Sequence, residues 1–256
     1  MTGRTFTLFG HHIGYSASPV IMAAAFAALD MPHRYTLSDV SPEDFPAALN
    51  ALRGTDGGAN VTVPHKQRAA ELVDELTGPA ARLGAVNTIE VDGDRLIGHN
   101  TDYPAILDEL DALGTTPRRA AVLGAGGAAS AVTLALAERG IEATTLARRT
   151  GTWGQIAAEL PRCDLLINAT PIGTQSDQLP VDRDLLRSDL AVFDLVYRPT
   201  PTALVAAARE LGAPARAGAG MLAGQGARAL EIWTGTEVPV RPMLTALLTT
   251  LGASHV

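Results

Sequence analysis

The chain has 256 residues, which is enough for one large domain or two modest ones with a real core. Apolar residues make up 46% and charged residues 18%, values that describe a globular protein and exclude a disordered one. The net charge of −7 argues against nucleic acid as a partner, and the single cysteine, Cys163, excludes an intrachain disulfide and a cysteine-built zinc site.

Thr5 to Phe9 reads as a short strand. The adjacent His11 and His12 would point to opposite faces of a strand, no histidines have H-x-x-x-H spacing, and no metal is expected. Ser18-Pro19 opens an alanine-rich helix through Leu29, with Ser18 as N-cap and Pro19 in the first turn. Tyr35 to Leu37 predicts a second strand, and Ser41-Pro42-Glu43-Asp44 a second helix start with acidic residues in its first turn. Gly57 to Val63 reads as a strand stopped by Pro64, followed by a helix from His65 to Glu75. Asn87–Val91 and Arg95–Ile97 flank Asp92-Gly93, a hairpin signal.

Asp102 to Leu113 predicts a helix with Leu107, Leu110 and Leu113 on one side. The strand Ala120–Leu123, a glycine turn, a helix to Arg139 and the strand Glu142–Leu146 form a βαβ unit. Leu165–Asn168 and Val192–Leu195 are further buried strands, and the final helices run over Gly220–Trp233 and Arg241–Leu251. This alternation predicts an α/β fold with a parallel sheet. Ala120 to Ala137 carries no charge, but its glycines favour strand, turn and buried helix over a membrane span. No apolar segment follows Arg4, so no secretory signal is expected; the expectation is a cytoplasmic protein without membrane or nucleic-acid partners.

Gly124-Ala125-Gly126-Gly127-Ala128-Ala129 lies between an apolar strand and a helix, in the G-x-G-x-x-A form of the dinucleotide fingerprint. There the first glycine makes the turn and the second admits the pyrophosphate. The small third residue allows helix–strand packing, and the helix N-terminus attracts the anion. After the next strand, where an acidic residue would hold a ribose 2′-hydroxyl, stand Arg148, Arg149 and Thr150. Arginines there can grip a 2′-phosphate, so the cofactor expected is NADP.

Of the 20 Lys and Arg residues, Lys66 alone is lysine. Arginine does not deprotonate in a protein, whereas an ammonium can give up its proton, so a lone lysine is a candidate for proton chemistry. Other polar groups along the chain are Asn60 and Thr62 in Asn60-Val61-Thr62-Val63-Pro64-His65-Lys66, Asn87, and the run Gly98-His99-Asn100-Thr101-Asp102, whose spacing alone does not bring them together. A lysine, an aspartate and neutral hydrogen bonders suit a polyhydroxylated small molecule.

The ordered motifs resemble the shikimate dehydrogenase family across nearly the whole chain. They are Gly14-x-Ser16-x-Ser18-Pro19, residues 60–66, residues 85–89, Asn100-Thr101-Asp102, residues 124–129, Arg149-Thr150, Asn168-Ala169-Thr170-Pro171-x-Gly173, residues 194–197, and Gly220-Met221-Leu222-x-x-Gln225. The resemblance implies reversible reduction of 3-dehydroshikimate to shikimate with NADPH, and a catalytic pair of Lys66 and Asp102. It assigns Ser16, Ser18 and Tyr197 to the substrate carboxylate, and Thr62, Asn87 and Gln225 to ring hydroxyls. Asn168, Thr170, Gly173, Gly218 and Met221 join the glycine turn and the arginines as cofactor residues. It further implies two domains: residues 1–102 with 218–256 for substrate and catalysis, and a Rossmann-like NADP domain over 103–217. A homodimer is compatible with it.

The chain departs from the family pattern at Tyr15, where a histidine is common, at Met22-Ala23, where His-Asn is usual, and at Arg148, commonly asparagine. The first two bear on the substrate, leaving quinate or an aminated shikimate as alternatives on the same scaffold. A non-catalytic sensor of NADP or a cyclic acid is the alternative of a different class.

Overall fold

The structure, a computed structural model, describes residues 2–252. The chain folds into two compact units: one runs up to Asp102 and resumes over Ala223–Leu247, and the other holds Tyr103–Leu222 and the chain from Leu248. The last four residues of the C-terminal stretch expected with the substrate domain lie outside the described residues.

The first unit contains strands β1 (Thr5–Gly10), β2 (Arg34–Asp39), β3 (Gly58–Val61), β4 (Glu75–Leu76), β5 (Thr88–Asp92) and β6 (Arg95–His99). Its helices are α1 (Ser18–Ala28), α2 (Phe45–Asn50), α3 (Lys66–Leu72) and α4 (Gly78–Leu83). The sheet order is β2-β1-β3-β5-β6-β4. β1 runs parallel to β2 and β3, but β5 is antiparallel to both β3 and β6. This sheet is therefore mixed, not parallel as expected, because the Gly93-Asp94 turn folds β6 straight back on β5. Phe9, Phe45, Leu49, Val61, Val86 and Ile89 pack in its core. Trp233 stacks on Phe6 with ring centroids 4.5 Å apart and donates its indole N–H to Ile89 O at 2.9 Å. Gly58 makes room for it, since a Cβ there would sit 2.5 Å from the indole nitrogen.

The second unit takes up after Asp102 with most of α5 (Asp102–Ala112), then β7 (Arg119–Leu123), α6 (Gly127–Glu138), β8 (Glu142–Leu146), α7 (Ile156–Glu159), β9 (Leu165–Asn168), β10 (Ala191–Asp194), α8 (Ala203–Glu210) and β11 (Ala215–Ala217). The helices α9 (Ala219–Thr234) and α10 (Val240–Thr250) each cross from one unit to the other along the chain. All strands of the second sheet are parallel, in the order β11-β10-β9-β7-β8. Numbered within the unit this is 2-1-3-4-5 read from the β8 edge, a doubly wound sheet whose order reverses at β7. The uncharged run from Ala120 is β7, a turn and α6, and among the described residues no helix is long and apolar enough to cross a membrane.

Several local expectations are corrected. Ser18 is the first residue of α1, after Ala17 at the cap position, and its side chain makes no cap bond because it faces Ser16. Ser41 to Asp44 form a turn braced by Asp44 N–H to Ser41 Oγ at 3.1 Å, and α2 begins only at Phe45. The helix after Pro64 ends at Leu72, where Val73 turns extended and leads into β4. His11 and His12 do not point apart: β1 ends at Gly10, His12 takes a left-handed φ of 57°, and the two rings lie 3.8 Å apart. The rule of alternating faces stops where the strand stops.

Candidate active site

In the first unit Lys66 opens α3 and Asp102 opens α5, 36 positions later. Their side chains meet, Lys66 Nζ donating to Asp102 Oδ2 at 2.5 Å, with side-chain exposures of 18% and 9%. Neither helix touches the other by sequence proximity; the segment entering β5 joins them. Val86 N–H donates to Lys66 O at 2.9 Å, which ties the start of α3 to that segment. On the other side Asn87 N–H donates to His99 O at 3.1 Å, Asn100 Nδ2 to Ala85 O at 2.9 Å, and Thr101 N–H to Asn87 Oδ1 at 2.7 Å. His65 anchors the turn from below: its buried ring stacks on Phe45 at 4.3 Å, and Nε2 meets Val40 O at 2.9 Å.

A buried network of neutral groups adjoins the pair. Asn87 Nδ2 donates to Thr101 Oγ1 at 3.0 Å and to Gln225 Oε1, from α9, at 3.4 Å. Thr88 Oγ1 donates to Asn87 Oδ1, and Asn60 Nδ2 donates to Thr88 Oγ1 at 3.0 Å and Asn87 O at 3.1 Å. Tyr35 closes the network, its hydroxyl donating to Asn60 Oδ1 at 2.6 Å. The Tyr35 ring is partly exposed but its hydroxyl end is enclosed, and that burial pushes the phenol well above its usual range. Ser16 and Ser18 come together, Oγ to Oγ, at 3.1 Å, on the segment between β1 and α1. Thr62 lies just beyond β3, half-buried, its N–H donating to Phe9 O.

Tyr35, Thr88 and Thr101 were not singled out by the sequence reading. Tyr35 carried only a strand signal, and Thr88 and Thr101 stood inside motifs without a role. Their partners are 13 to 28 positions away, a separation that no local pattern reports.

In the second unit the glycine turn follows β7, and Gly124 adopts a φ of 113° that favours glycine. A Cβ at Gly124 would also lie 2.8 Å from Ala169 O, so the turn must sit against the segment after β9. A cavity of about 340 Å³ opens there, lined by Gly124, Gly126, Arg148, Arg149, Trp153 and Thr170 among others. It occupies the C-terminal edge of β7 and β9, at the reversal of strand order, where doubly wound sheets bind ligands. These residues fit a dinucleotide. A Cβ on Gly126 would meet nothing within 4 Å, leaving open room over the N-terminus of the 12-residue α6, which also carries Gly127, Ala128 and Ala129. Arg148 stacks over Trp153 at 5.1 Å and Arg149 donates to Ala125 O. Thr150 is spent locally, donating to Ala147 O at 3.1 Å.

Asn168 is fully buried, so it reaches a ligand only through the loop it braces. Its Oδ1 accepts from Thr170 N at 3.1 Å and Thr170 Oγ1 at 2.7 Å, and its Nδ2 donates to Ile172 O and Asp194 Oδ1. Gly173 follows with φ 93°, and Gly218 N–H donates to Val196 O at 3.0 Å. Tyr197 lies half-buried after β10, and Met221 lies in the first turns of α9 within this unit.

The fold and site place the chain in the class of two-unit α/β proteins that pair a dinucleotide-type turn with a lysine–carboxylate centre. Comparison with known proteins narrows the class. The family model for the shikimate dehydrogenase substrate binding domain matches residues 8–89, and that for the shikimate 5'-dehydrogenase C-terminal domain matches residues 218–248. The shikimate dehydrogenase (NADP(+)) of Methylobacterium radiotolerans is 41% identical over 95% of this chain and 95% of its own. That of Moorella thermoacetica is 39% identical over 96% and 93%. The crystal structure of the Thermus thermophilus shikimate 5-dehydrogenase in complex with NADP(H) and shikimate superposes with a TM-score of 0.88, at 34% identity over 96% of this chain and 98% of that one. The chain belongs to the shikimate dehydrogenase family.

Asp194 offers a test of the brace behind the cofactor loop. Burial pushes its carboxyl up to about 6, against donors from Thr202 Oγ1, Val196 N–H and Asn168 Nδ2 that favour the charged form. The folded state therefore holds this proton more tightly than the unfolded chain. The resulting stability, about 3 kcal/mol, is fully present below the unfolded value near 4 and lost as pH rises through about 6. The carboxyl carbon resonance of Asp194, assigned by its loss in Asp194→Asn, is expected to titrate near 6; a midpoint below 4 would show that the three donors outweigh burial.

Proposed function

We propose that this chain catalyses the reversible reduction of 3-dehydroshikimate to shikimate with NADPH. The observation that carries the reading is the Lys66–Asp102 pair, set beside a buried cluster of neutral hydrogen bonders in a member of this family. A nicotinamide cofactor held at the glycine turn would supply hydride to the carbonyl carbon. Negative charge then develops on the carbonyl oxygen, and the Lys66 ammonium stabilises it and delivers the proton. An ammonium has three N–H donors; one is committed to Asp102 Oδ2, which leaves two for that oxygen. Asp102 holds the amine in place and can bond the same hydroxyl once it forms.

The substrate carboxylate is assigned to the Ser16 and Ser18 hydroxyls, with Tyr197 added on the family resemblance. Thr62, Asn87 and Gln225 are assigned to the ring hydroxyls. The network behind Asn87 supports this, because its carbonyl is taken by Thr101 N–H and its amide nitrogen is thereby aimed toward Gln225. Gly124, Gly126, Gly127, Ala128 and Ala129 would hold the pyrophosphate, and Arg148 and Arg149 the 2′-phosphate end, with Thr150 bracing their turn through Ala147 O. Thr170, Gly173, Gly218 and Met221 would shape the nicotinamide end, with Asn168 as the brace. In this reading the enzyme is cytoplasmic, consistent with its lone buried cysteine, and a homodimer is carried by the resemblance alone.

The direct test is NADP reduction followed at 340 nm with shikimate, quinate and an aminated shikimate in parallel, each repeated with NAD. Turnover of shikimate with NADP is expected to dominate. Preference for an analogue would move the explanation to Tyr15 and its neighbours, and silence on all three would favour a sensor. Lys66→Ala is expected to lower kcat by about 10²-fold or more with a modest change in KM; near-normal turnover would remove Lys66 from the chemistry. Arg149→Ala is expected to raise the KM for NADPH about tenfold or more while leaving that for NADH little changed, and equal effects on both would refute the phosphate contact.

A further inference from the structure

A second cluster of donor atoms stands at one end of the first sheet, in residues the proposed chemistry does not use. His11 and His12 follow β1, and Asp39 is the last residue of β2. The backbone beneath them is pinned: Gly10 pairs with Asp39 across the parallel strands, Val40 N–H donates to Gly10 O at 2.9 Å, and His11 N–H donates to Val63 O at 3.1 Å. His12 takes the left-handed conformation that is uncommon outside glycine, with φ 57°, and this brings its ring over that of His11, 3.8 Å away at 36°. Asp39 Oδ1 accepts the His12 backbone N–H at 2.9 Å and lies 3.3 Å from His11 Nδ1. That nitrogen is buried, and the Asp39 carboxylate, at a long 3.3 Å, is the polar group that faces it.

An imidazole nitrogen from each histidine and an oxygen of Asp39 all lie within 4.8 Å of one another. Ligands on one tetrahedral ion with bonds of about 2.0–2.1 Å sit roughly 3.3 Å apart, so small side-chain rotations would close the set. Two imidazoles and one carboxylate suit a borderline transition ion and not magnesium or calcium, which prefer all-oxygen sets. A buried imidazole nitrogen faced by a carboxylate at 3.3 Å, beside a second ring, can exchange that long contact for a shared cation. We propose that His11, His12 and Asp39 form a binding site for one divalent transition-metal ion of the Zn²⁺ class, with the remaining coordination positions open to water. None of the three residues takes part in the Lys66–Asp102 pair, and occupancy would clasp the segment between β1 and α1 to the end of β2.

The experiment uses the full, untagged chain, stripped with EDTA and desalted. Zn²⁺ is titrated in competition with a chromogenic chelator, and Cu²⁺ binding is followed by electron paramagnetic resonance. The expected results are one strong equivalent of Zn²⁺ and a Cu²⁺ spectrum with superhyperfine splitting from two imidazole nitrogens. His11→Gln, His12→Asn (which tolerates the left-handed backbone) and Asp39→Asn should each weaken Zn²⁺ by about tenfold or more. Zn²⁺ should raise the Tm of the parent chain and not that of these variants. Equal Tm values in EDTA establish that each variant is folded, and His99→Gln serves as a control that should bind as the parent does. Zn²⁺ affinity unchanged by all three substitutions, no binding by the parent chain, or a Cu²⁺ spectrum without two nitrogens would overturn the proposal.

Discussion

The Lys66–Asp102 ion pair is the contact around which the first unit is organised. Two charges held at 18% and 9% exposure have given up most of their water, and such a pair is sustained only where geometry is good and neighbours are satisfied. The side chains come from helices 36 positions apart, so the chain between them must return to the same place. It does so through the entry to β5, which takes the Lys66 carbonyl from one side and the His99–Thr101 backbone from the other. The hairpin of β5 and β6 lies between the parallel strands β2-β1-β3 and the short β4, and the chain leaving β6 brings Asp102, at the start of α5, to the turn that bears Lys66. The antiparallel hairpin that makes the sheet mixed is thus also the element that returns the carboxylate to the lysine.

Both units solve a similar problem with the same residue type. At the entry to β5, Asn87 accepts the Thr101 N–H with its carbonyl and turns its amide nitrogen toward Thr101 Oγ1 and Gln225. At the end of β9, Asn168 accepts the Thr170 N–H and turns its nitrogen toward Asp194 and Ile172 O. In each case an asparagine replaces a stretch of ladder where the strand gives way to a loop, so buried backbone groups stay paired. A fully satisfied polar network of this kind is stiff, and stiffness is what a binding loop needs before its ligand arrives. The two networks differ in charge. The carboxyl that Asn168 meets, Asp194, has neutral donors only and burial raises it; Asn87 meets hydroxyl, amide and backbone groups instead.

How much could be read beforehand depended on whether the signal was local. The strands Glu142–Leu146 and Leu165–Asn168 match the sequence reading residue for residue, because short apolar or β-branched runs bounded by glycine, arginine or aspartate have few other homes. The glycine turn was equally legible, since its strand, its spacing and its helix are contiguous. The helix Ala203–Glu210 and the strand Ala215–Ala217 were missed; the first depends on Thr202 accepting from Val205 N–H, and the second on pairing with β10. Within the site, Lys66 stood out by composition and Asp102 by motif, but Tyr35 could not. Its place in the network depends on β1 lying between β2 and β3, so that the long Tyr35 side chain spans to Asn60. His11 and His12 show the opposite error, where a periodicity was carried two residues past the end of its strand.

The distribution of cations between the units has a physical logic. An anionic ring substrate would ordinarily invite an arginine, yet the groups proposed for that role in the first unit are the paired Ser16 and Ser18 hydroxyls. An arginine turned toward Asp102, unlike the exposed Arg68 that pairs with Glu71, would present a planar fork suited to that carboxylate. The pair would then be broken by the very residue recruited to hold the substrate. Neutral hydroxyls bind a carboxylate more weakly but leave the lysine its partner. In the second unit no such conflict exists. The phosphate end of the proposed cofactor site can use two arginines, each oriented before a ligand binds, Arg148 by the Trp153 ring and Arg149 by the Ala125 carbonyl. Arginine, permanently charged, serves at every other basic position, and the chain's single lysine stands at the position proposed to give up a proton.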